Sequence, residues 1–244
     1  MLSLVKGRYR ARLAQDASDI ARAQGLRHRR FVARNSAAQG VDADVYDAAC
    51  RHVLLEECDS GALVGCYRLL LLPPGCAMAN SYSAQFYDLS ALDAFAGAKL
   101  ELGRFCLDPG WHDPDILRLA WGAMARMVDD LSVTLLFGCS SFEGSDPARH
   151  QMALALLTDH LAPPMWQPLP KAAERHALMR AAISDRKTAL LGVPPLLRTY
   201  LGMGGWVSDH AVIDRALDTL HVFTGVEIAR IPPARARALR AIAN

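Results

Sequence analysis

The alternation of apolar and polar positions divides the chain into short strands and amphipathic helices. At 7–13, basic and apolar residues alternate, as a half-buried strand requires. Over 16–32, Ile20, Ala23, Leu26 and Phe31 recur at helical spacing, predicting an amphipathic helix. The stretch 35–47 reads as a loop. Two apolar runs, 52–57 and 62–71, are joined by Cys58-Asp59-Ser60-Gly61, whose turn chemistry predicts a strand pair. A loop at 72–88 follows, with Pro73, Pro74 and Gly75. Strands at 99–107 and 131–139 then flank a helix at 114–129 that Pro114 opens. A helix at 147–160, a proline-rich stretch at 163–170, a helix at 194–201, a strand at 220–228 and a short basic helix at 232–243 complete the pattern. No repeat or long linker interrupts it. The expectation is one α+β domain over 1–244, with a C-terminal extension from about 163.

Hydrophobic residues are 52% and charged residues 21% of the chain, close to globular averages of about 45–50% and about 25%. That excludes a disordered, collagen-like or coiled-coil chain. Lys+Arg 27 against Asp+Glu 25 leaves a net charge of +2, so no nucleic-acid partner is expected. The cysteines, at 50, 58, 66, 76, 106 and 139, form no C-x-x-C pair, and no histidines cluster at zinc spacing. They read as small buried hydrophobes in a reducing compartment, with no metal. The N-terminus lacks the apolar core of a signal peptide. The apolar stretches near 62–73 and 187–197 are too short to span a bilayer. A cytoplasmic protein is expected, with peripheral contact at the inner membrane face left open.

The segment LELGRFCLDPGW, 100–111, holds Glu101 and Arg104 three residues apart at the end of a strand that turns into a helix. Such a turn points backbone N–H groups at a phosphate. A carboxylate beside it can serve as a general base. A surface Glu–Arg pair fits the same spacing. In LRHRRF, 26–31, Arg27, Arg29 and Arg30 precede Phe31, as on a solvated helix face. In DADVYD, 42–47, Asp42, Asp44 and Asp47 suit an ammonium group or a cation, without the glycine and glutamate of a calcium loop. In VGCYRLL, 64–70, Arg68 is the one charge in an apolar strand. Burying an unpaired guanidinium is costly, so an acidic partner or a cavity is expected for it.

Arg27-x-x-x-Phe31, Asp44-x-x-Asp47, Gly65-Cys66-Tyr67-Arg68-Leu69 and Glu101-x-x-Arg104, in that order, resemble the acyl-homoserine-lactone synthases, acyl-carrier-protein-dependent members of the GNAT-like fold. A closer resemblance runs over nearly the whole chain. RYRARLA, DIARAQGLRHRRF, VGCYRLL, YSAQFYDLS, LELGRFCLDP, LFGCSSFEGSDP, PPLLRTYLGMGGWVSDHAVID and DTLHVF are similar to the ornithine-lipid-forming N-acyltransferases, a family often labelled haemolysins. Ala84 stands where that family carries Glu, Asp218 where it carries Asn, and the run after the central strand holds Asp113, Pro114 and Asp115.

The resemblance implies a GNAT-like α+β fold, with a mixed central sheet flanked by helices. It implies transfer of a 3-hydroxyacyl chain from acyl carrier protein to the α-amine of ornithine, giving lyso-ornithine lipid. Alternatives are glutamine as acceptor, a lactone synthase using S-adenosylmethionine, or a non-catalytic lipid-binding protein. No resident cofactor is implied, because the donor is the acyl-phosphopantetheine of the carrier. Glu101 is the candidate base, and Arg104 orients it or holds the substrate carboxylate. Arg27, Phe31, Asp44, Asp47 and Arg68 are acceptor-side candidates, the arginines for a carboxylate and the aspartates for the δ-ammonium. Cys106, Leu107, Trp111, His112, Ser140 and Phe142 are donor-side candidates, with a backbone amide near Cys106 or Leu107 for the oxyanion. The strands 62–71 and 131–139, with Trp121, line an acyl tunnel or form ordinary core. Arg8, Arg10, Arg12, Arg29, Arg30, Arg235, Arg237 and Arg240 are candidates for meeting the acidic carrier, and the C-terminal arginines equally for anionic lipid.

Overall fold

The computed structural model describes residues 2–33 and 40–243. In chain order the strands are β1 Ser3–Lys6, β2 Tyr9–Leu13, β3 Arg51–Glu57, β4 Leu63–Leu72, β5 Tyr87–Asp88, β6 Ala98–Leu107, β7 Val133–Glu143, β8 Leu169–Pro170, β9 Arg175–Ala177, β10 Trp206–Asp214 and β11 Thr219–Glu227. The helices are α1 Ala17–Arg27, α2 Pro114–Asp130, α3 Gln151–Leu157, α4 Arg186–Gly192, α5 Pro195–Gly202 and α6 Pro233–Ala243. The class is α+β, as the sequence pattern predicts.

The expectation of one domain with a C-terminal extension meets a chain that divides into two compact units interleaved in sequence. The first comprises Met1–Leu71, Leu102–Val133 and Pro233–Asn244, and the second Leu72–Glu101 and Thr134–Pro232. The division falls within β6, after Glu101.

In the first unit, β1, β2, β3 and β4 run as an antiparallel meander, and β4 is followed in the sheet by the later part of β6. Asp16 caps α1 by accepting from the Asp19 amide. The predicted helix over 16–32 is present, but its last turn, His28–Val32, widens to a π-helix in which the Ala33 amide reaches the His28 carbonyl. Asp113 caps α2, and Pro114 occupies its first turn, where the missing N–H costs nothing. The apolar face of α2, including Ile116, Leu119, Ala123 and Met127, is buried. α6 packs on α2 where Gly122 meets Ile242.

In the second unit the first part of β6 is followed by β7, β11, β10 and β9. Each position of β11 faces a partner on β7, from Thr219 opposite Glu143 to Glu227 opposite Leu135. Asp218 takes a left-handed φ of 43° before β11, and its carboxylate accepts from the Ser145 amide and hydroxyl. Asp and Asn both tolerate that backbone, so the position where the family carries Asn keeps its local structure. Among the described residues, no helix is long and apolar enough to cross a membrane.

Candidate active site

Three arginines and three aspartates meet in the first unit. Arg27 donates from Nε to Asp42 and from Nη1 to Asp47, each at 2.8 Å. Arg68 donates to both oxygens of Asp44, at 2.6 and 2.7 Å, and to Asp47 at 2.5 Å. Arg104 donates to Asp42 at 2.9 Å and to Asp44 at 3.4 Å. The acidic partner expected for Arg68 is therefore present. The aspartates that the sequence offers to an ammonium group are bound instead by guanidinium groups of their own chain. Burial pushes the Asp47 carboxyl up, but hydrogen bonds from Arg27, Gln24 and Arg68 outweigh it and hold the group below the usual carboxylate range. Asp44 is lowered in the same way, against burial, chiefly by Arg68. Arg68 is raised in turn, because Asp44 and Asp47 outweigh its own burial.

Arg104 holds a left-handed φ of 53° within β6. A non-glycine residue there is strained. The Arg68 side chain lies against Gly103, just before Arg104, at ordinary contact distance. Phe31 packs on Ala23, Leu26, Cys66 and Cys106, beside the root of Arg27 on α1. The Cys66 and Cys106 sulfurs are 3.6 Å apart, both as buried free thiols.

Glu101 belongs to the second unit and is 3% exposed, so it is no surface ion-pair residue. Its Oε2 accepts from the Tyr82 amide at 2.8 Å, and its Oε1 accepts from the Ser83 amide at 2.7 Å and the Ser83 hydroxyl at 2.5 Å. The Ser83 hydroxyl also receives the Cys139 thiol at 3.4 Å. Glu101 and Cys139 therefore share one face of the sheet. Phe223, paired with Cys139 in register, lies on that face with Phe137 and Trp206 stacked on it at 5.8 and 5.9 Å.

The donor-side candidates do not converge on one place. Ser140 and Phe142, of opposite parity to Cys139 on β7, face the other side of the sheet. Ser140 meets Thr224 there at 2.9 Å, and Phe142 meets His150. Trp111 stands edge-on to Tyr9 with Arg8 over its ring, and His112 is exposed. Leu107 is half-buried, and Trp121 is buried on α2. Of the basic candidates, Arg10 and Arg12 are held by Glu56, and Arg240 by Asp129. Arg29, Arg30, Arg235 and Arg237 are exposed.

Several buried polar groups went unremarked in the sequence. Tyr87 donates to the His221 carbonyl at 2.8 Å, and its oxygen lies 3.1 Å from His221 Nδ1. Burial lowers His221 to about 4, with His210 adding to the drop and Asp214 opposing it. Lys99, fully buried on β6, has no hydrogen-bond partner for its Nζ among the described residues. The rule applied to Arg68, that a charge in an apolar strand needs a reason, also singles out Lys99.

Residues 26–122, which carry the arginine–aspartate cluster and Glu101, match the acetyltransferase (GNAT) domain family. The chain is an acyltransferase of the GNAT class. An L-ornithine N(alpha)-acyltransferase of Rhodobacter capsulatus is 34% identical over 227 residues, covering 88% of both chains. One of Brucella abortus is 33% identical over 242 residues, covering 92% of this chain and 86% of that one. The chain belongs to the L-ornithine N(alpha)-acyltransferase family. Among solved structures, an N-acyl amino acid synthase from uncultured soil microbes aligns over 97% of both chains, at 11% identity and a TM-score of 0.48.

Proposed function

We propose that this enzyme transfers a 3-hydroxyacyl chain from the phosphopantetheine thioester of acyl carrier protein to the α-amine of ornithine, giving lyso-ornithine lipid. The names of the relatives support ornithine as acceptor. The observation that carries the chemistry is the buried carboxylate of Glu101, fixed in place by the Tyr82 and Ser83 amides and the Ser83 hydroxyl.

A free α-amine with pKa about 8 is roughly a tenth neutral at pH 7, so a base that takes its proton accelerates attack. Glu101 takes that proton as the C–N bond forms. The thioester oxygen, negative in the tetrahedral state, calls for a hydrogen-bond donor beside the reacting carbon. The C–S bond then breaks, and the proton on Glu101 passes to the departing pantetheine thiolate. Asp42 and Asp44, which also bind Arg27 and Arg68, hold Arg104. No resident cofactor enters this scheme. The exposed Arg235 and Arg237 of α6 suit peripheral contact with an anionic membrane from the cytoplasmic side, where an amphiphilic product would partition.

The test uses the purified chain, 3-hydroxyacyl carrier protein and, separately, ornithine, glutamine and S-adenosylmethionine. Carrier thiol released with ornithine, and an N-acylornithine mass, are the expected result. Release with glutamine alone would change the acceptor. Release with S-adenosylmethionine alone would make this a lactone synthase, and release with none would refute the proposal.

A further inference from the structure

Arg27, Arg68 and Lys99 are buried basic side chains. Arg27 and Arg68 each meet two aspartates. Lys99 is 0% exposed and, among the described residues, its Nζ has no hydrogen-bond partner. An uncompensated ammonium in the interior is strongly disfavoured, so a structure that keeps one needs an acceptor from elsewhere. Two residues apart on a strand, Lys99 and Glu101 point to the same face.

That face holds more polar atoms without partners among the described residues. Trp206 Nε1, His221 Nε2 and Glu227 Oε1 are buried and unbonded. In register, His221, Gly225 and Glu227 alternate along β11 on the side of Phe223, and Trp206 lies over Gly225. Buried polar atoms in native proteins are almost always bonded to protein, water or ligand. A dry apolar chain would leave these atoms unsatisfied, whereas a zwitterionic molecule carries groups of the kind they bind.

We propose that Lys99 binds the carboxylate of the amino-acid acceptor. This rests on the reading of an amino-acid acceptor given above. Lys99 and Glu101 are about 6.8 Å apart along the strand. A carboxylate and an amine borne on the same carbon bridge that spacing, so a carboxylate seated on Lys99 brings the α-amine towards Glu101. The unpaired lysine then confers selectivity for an α-amino acid over a simple amine.

The experiment compares wild type, Lys99→Met and Lys99→Arg with ornithine, with its carboxamide and with its decarboxylated diamine. Met keeps the length and apolar stem of lysine without the charge. Lys99→Met is expected to unfold at or above the wild-type midpoint, because it removes an uncompensated buried charge. Its KM for ornithine should rise about 10- to 100-fold, as for loss of a buried charged hydrogen bond, with the acyl-donor KM within about threefold. Its preference for ornithine over the carboxamide and the diamine should disappear. Lys99→Arg should recover part of the ornithine KM. An ornithine KM within threefold of wild type in Lys99→Met, or equal increases in both KM values, overturns the proposal. If Lys99→Met does not fold, Lys99→Gln is read by the same criteria. If wild type acylates no amino acid, the acceptor reading falls and this inference with it. If wild type acylates ornithine and Lys99→Met does so equally well, only the inference falls.

Discussion

The Ser83 hydroxyl donates to Glu101 Oε1 at 2.5 Å, and the same oxygen takes the Ser83 amide at 2.7 Å. The proposed base is thus anchored to one turn of the 72–101 segment. Ser83→Ala removes one of these donors and keeps the other. A buried charged group that loses one hydrogen bond costs about 1–3 kcal/mol. The expected outcome is a lower melting midpoint together with a kcat reduced by about tenfold, equivalent to about 1.4 kcal/mol. Thermal unfolding and steady-state kinetics on the same preparation check both. An unchanged kcat would mean that the exact placement of Glu101 does not matter to turnover.

Arg68 joins Asp44 and Asp47 in the first unit, and removing one side of such a cluster leaves buried charge without a counterpart. Arg68→Met is expected to destabilise the protein by about 3–5 kcal/mol. Adding Asp44→Asn should restore part of that loss, because the two changes share one network. Urea unfolding of the single and double variants checks the coupling.

Asp47 has a folded-state pKa below its unfolded value, so it contributes stability that is complete above about pH 4 and disappears as acid protonates the folded state. Asp47→Asn should therefore be less stable than wild type at pH 7. The difference should narrow as the pH falls below about 4. Denaturant titrations at pH 7, 5, 4 and 3 follow the gap.

His221 gives a second pH signature, in a different window. Its folded pKa, about 4, lies below the ordinary 6.5, so its stabilising contribution is complete above pH 6.5 and is lost as the pH falls towards 4. The shift corresponds to a loss of about 3 kcal/mol across that window. His221→Phe should flatten the stability profile between pH 6.5 and 4, and unfolding at stepped pH values reads it directly.

Apolar alternation made the β3–β4 pair legible through the Cys58-Asp59-Ser60-Gly61 turn, and the proline and aspartate at its start made α2 legible. β10 was not legible as a strand. Ser208, Asp209 and His210 interrupt its apolar pattern, and a register shift between Val207 and Ala211 absorbs them. Nor was the hairpin partner β1, whose four residues are too few to show a period. At the site, a lone arginine in an apolar strand foretold acidic partners, and Asp44 and Asp47 supply them. The left-handed backbone at Arg104 had no local signal, because Gly103 beside it is the residue that ordinarily takes such a conformation. Pairing between distant segments decides which charges are satisfied, and that separates Lys99 from Arg27.

The central claim is that Glu101 removes the proton from an attacking amine. The most direct measurement is single-turnover acyl transfer from 3-hydroxyacyl carrier protein to ornithine by wild type and Glu101→Gln, each shown to be folded at the assay temperature. The account predicts a rate lowered by about 10²–10⁴-fold in the variant, the usual worth of a general base. A rate within a few-fold of wild type would contradict it and leave Glu101 as no more than the strut that holds the turn at Tyr82 and Ser83.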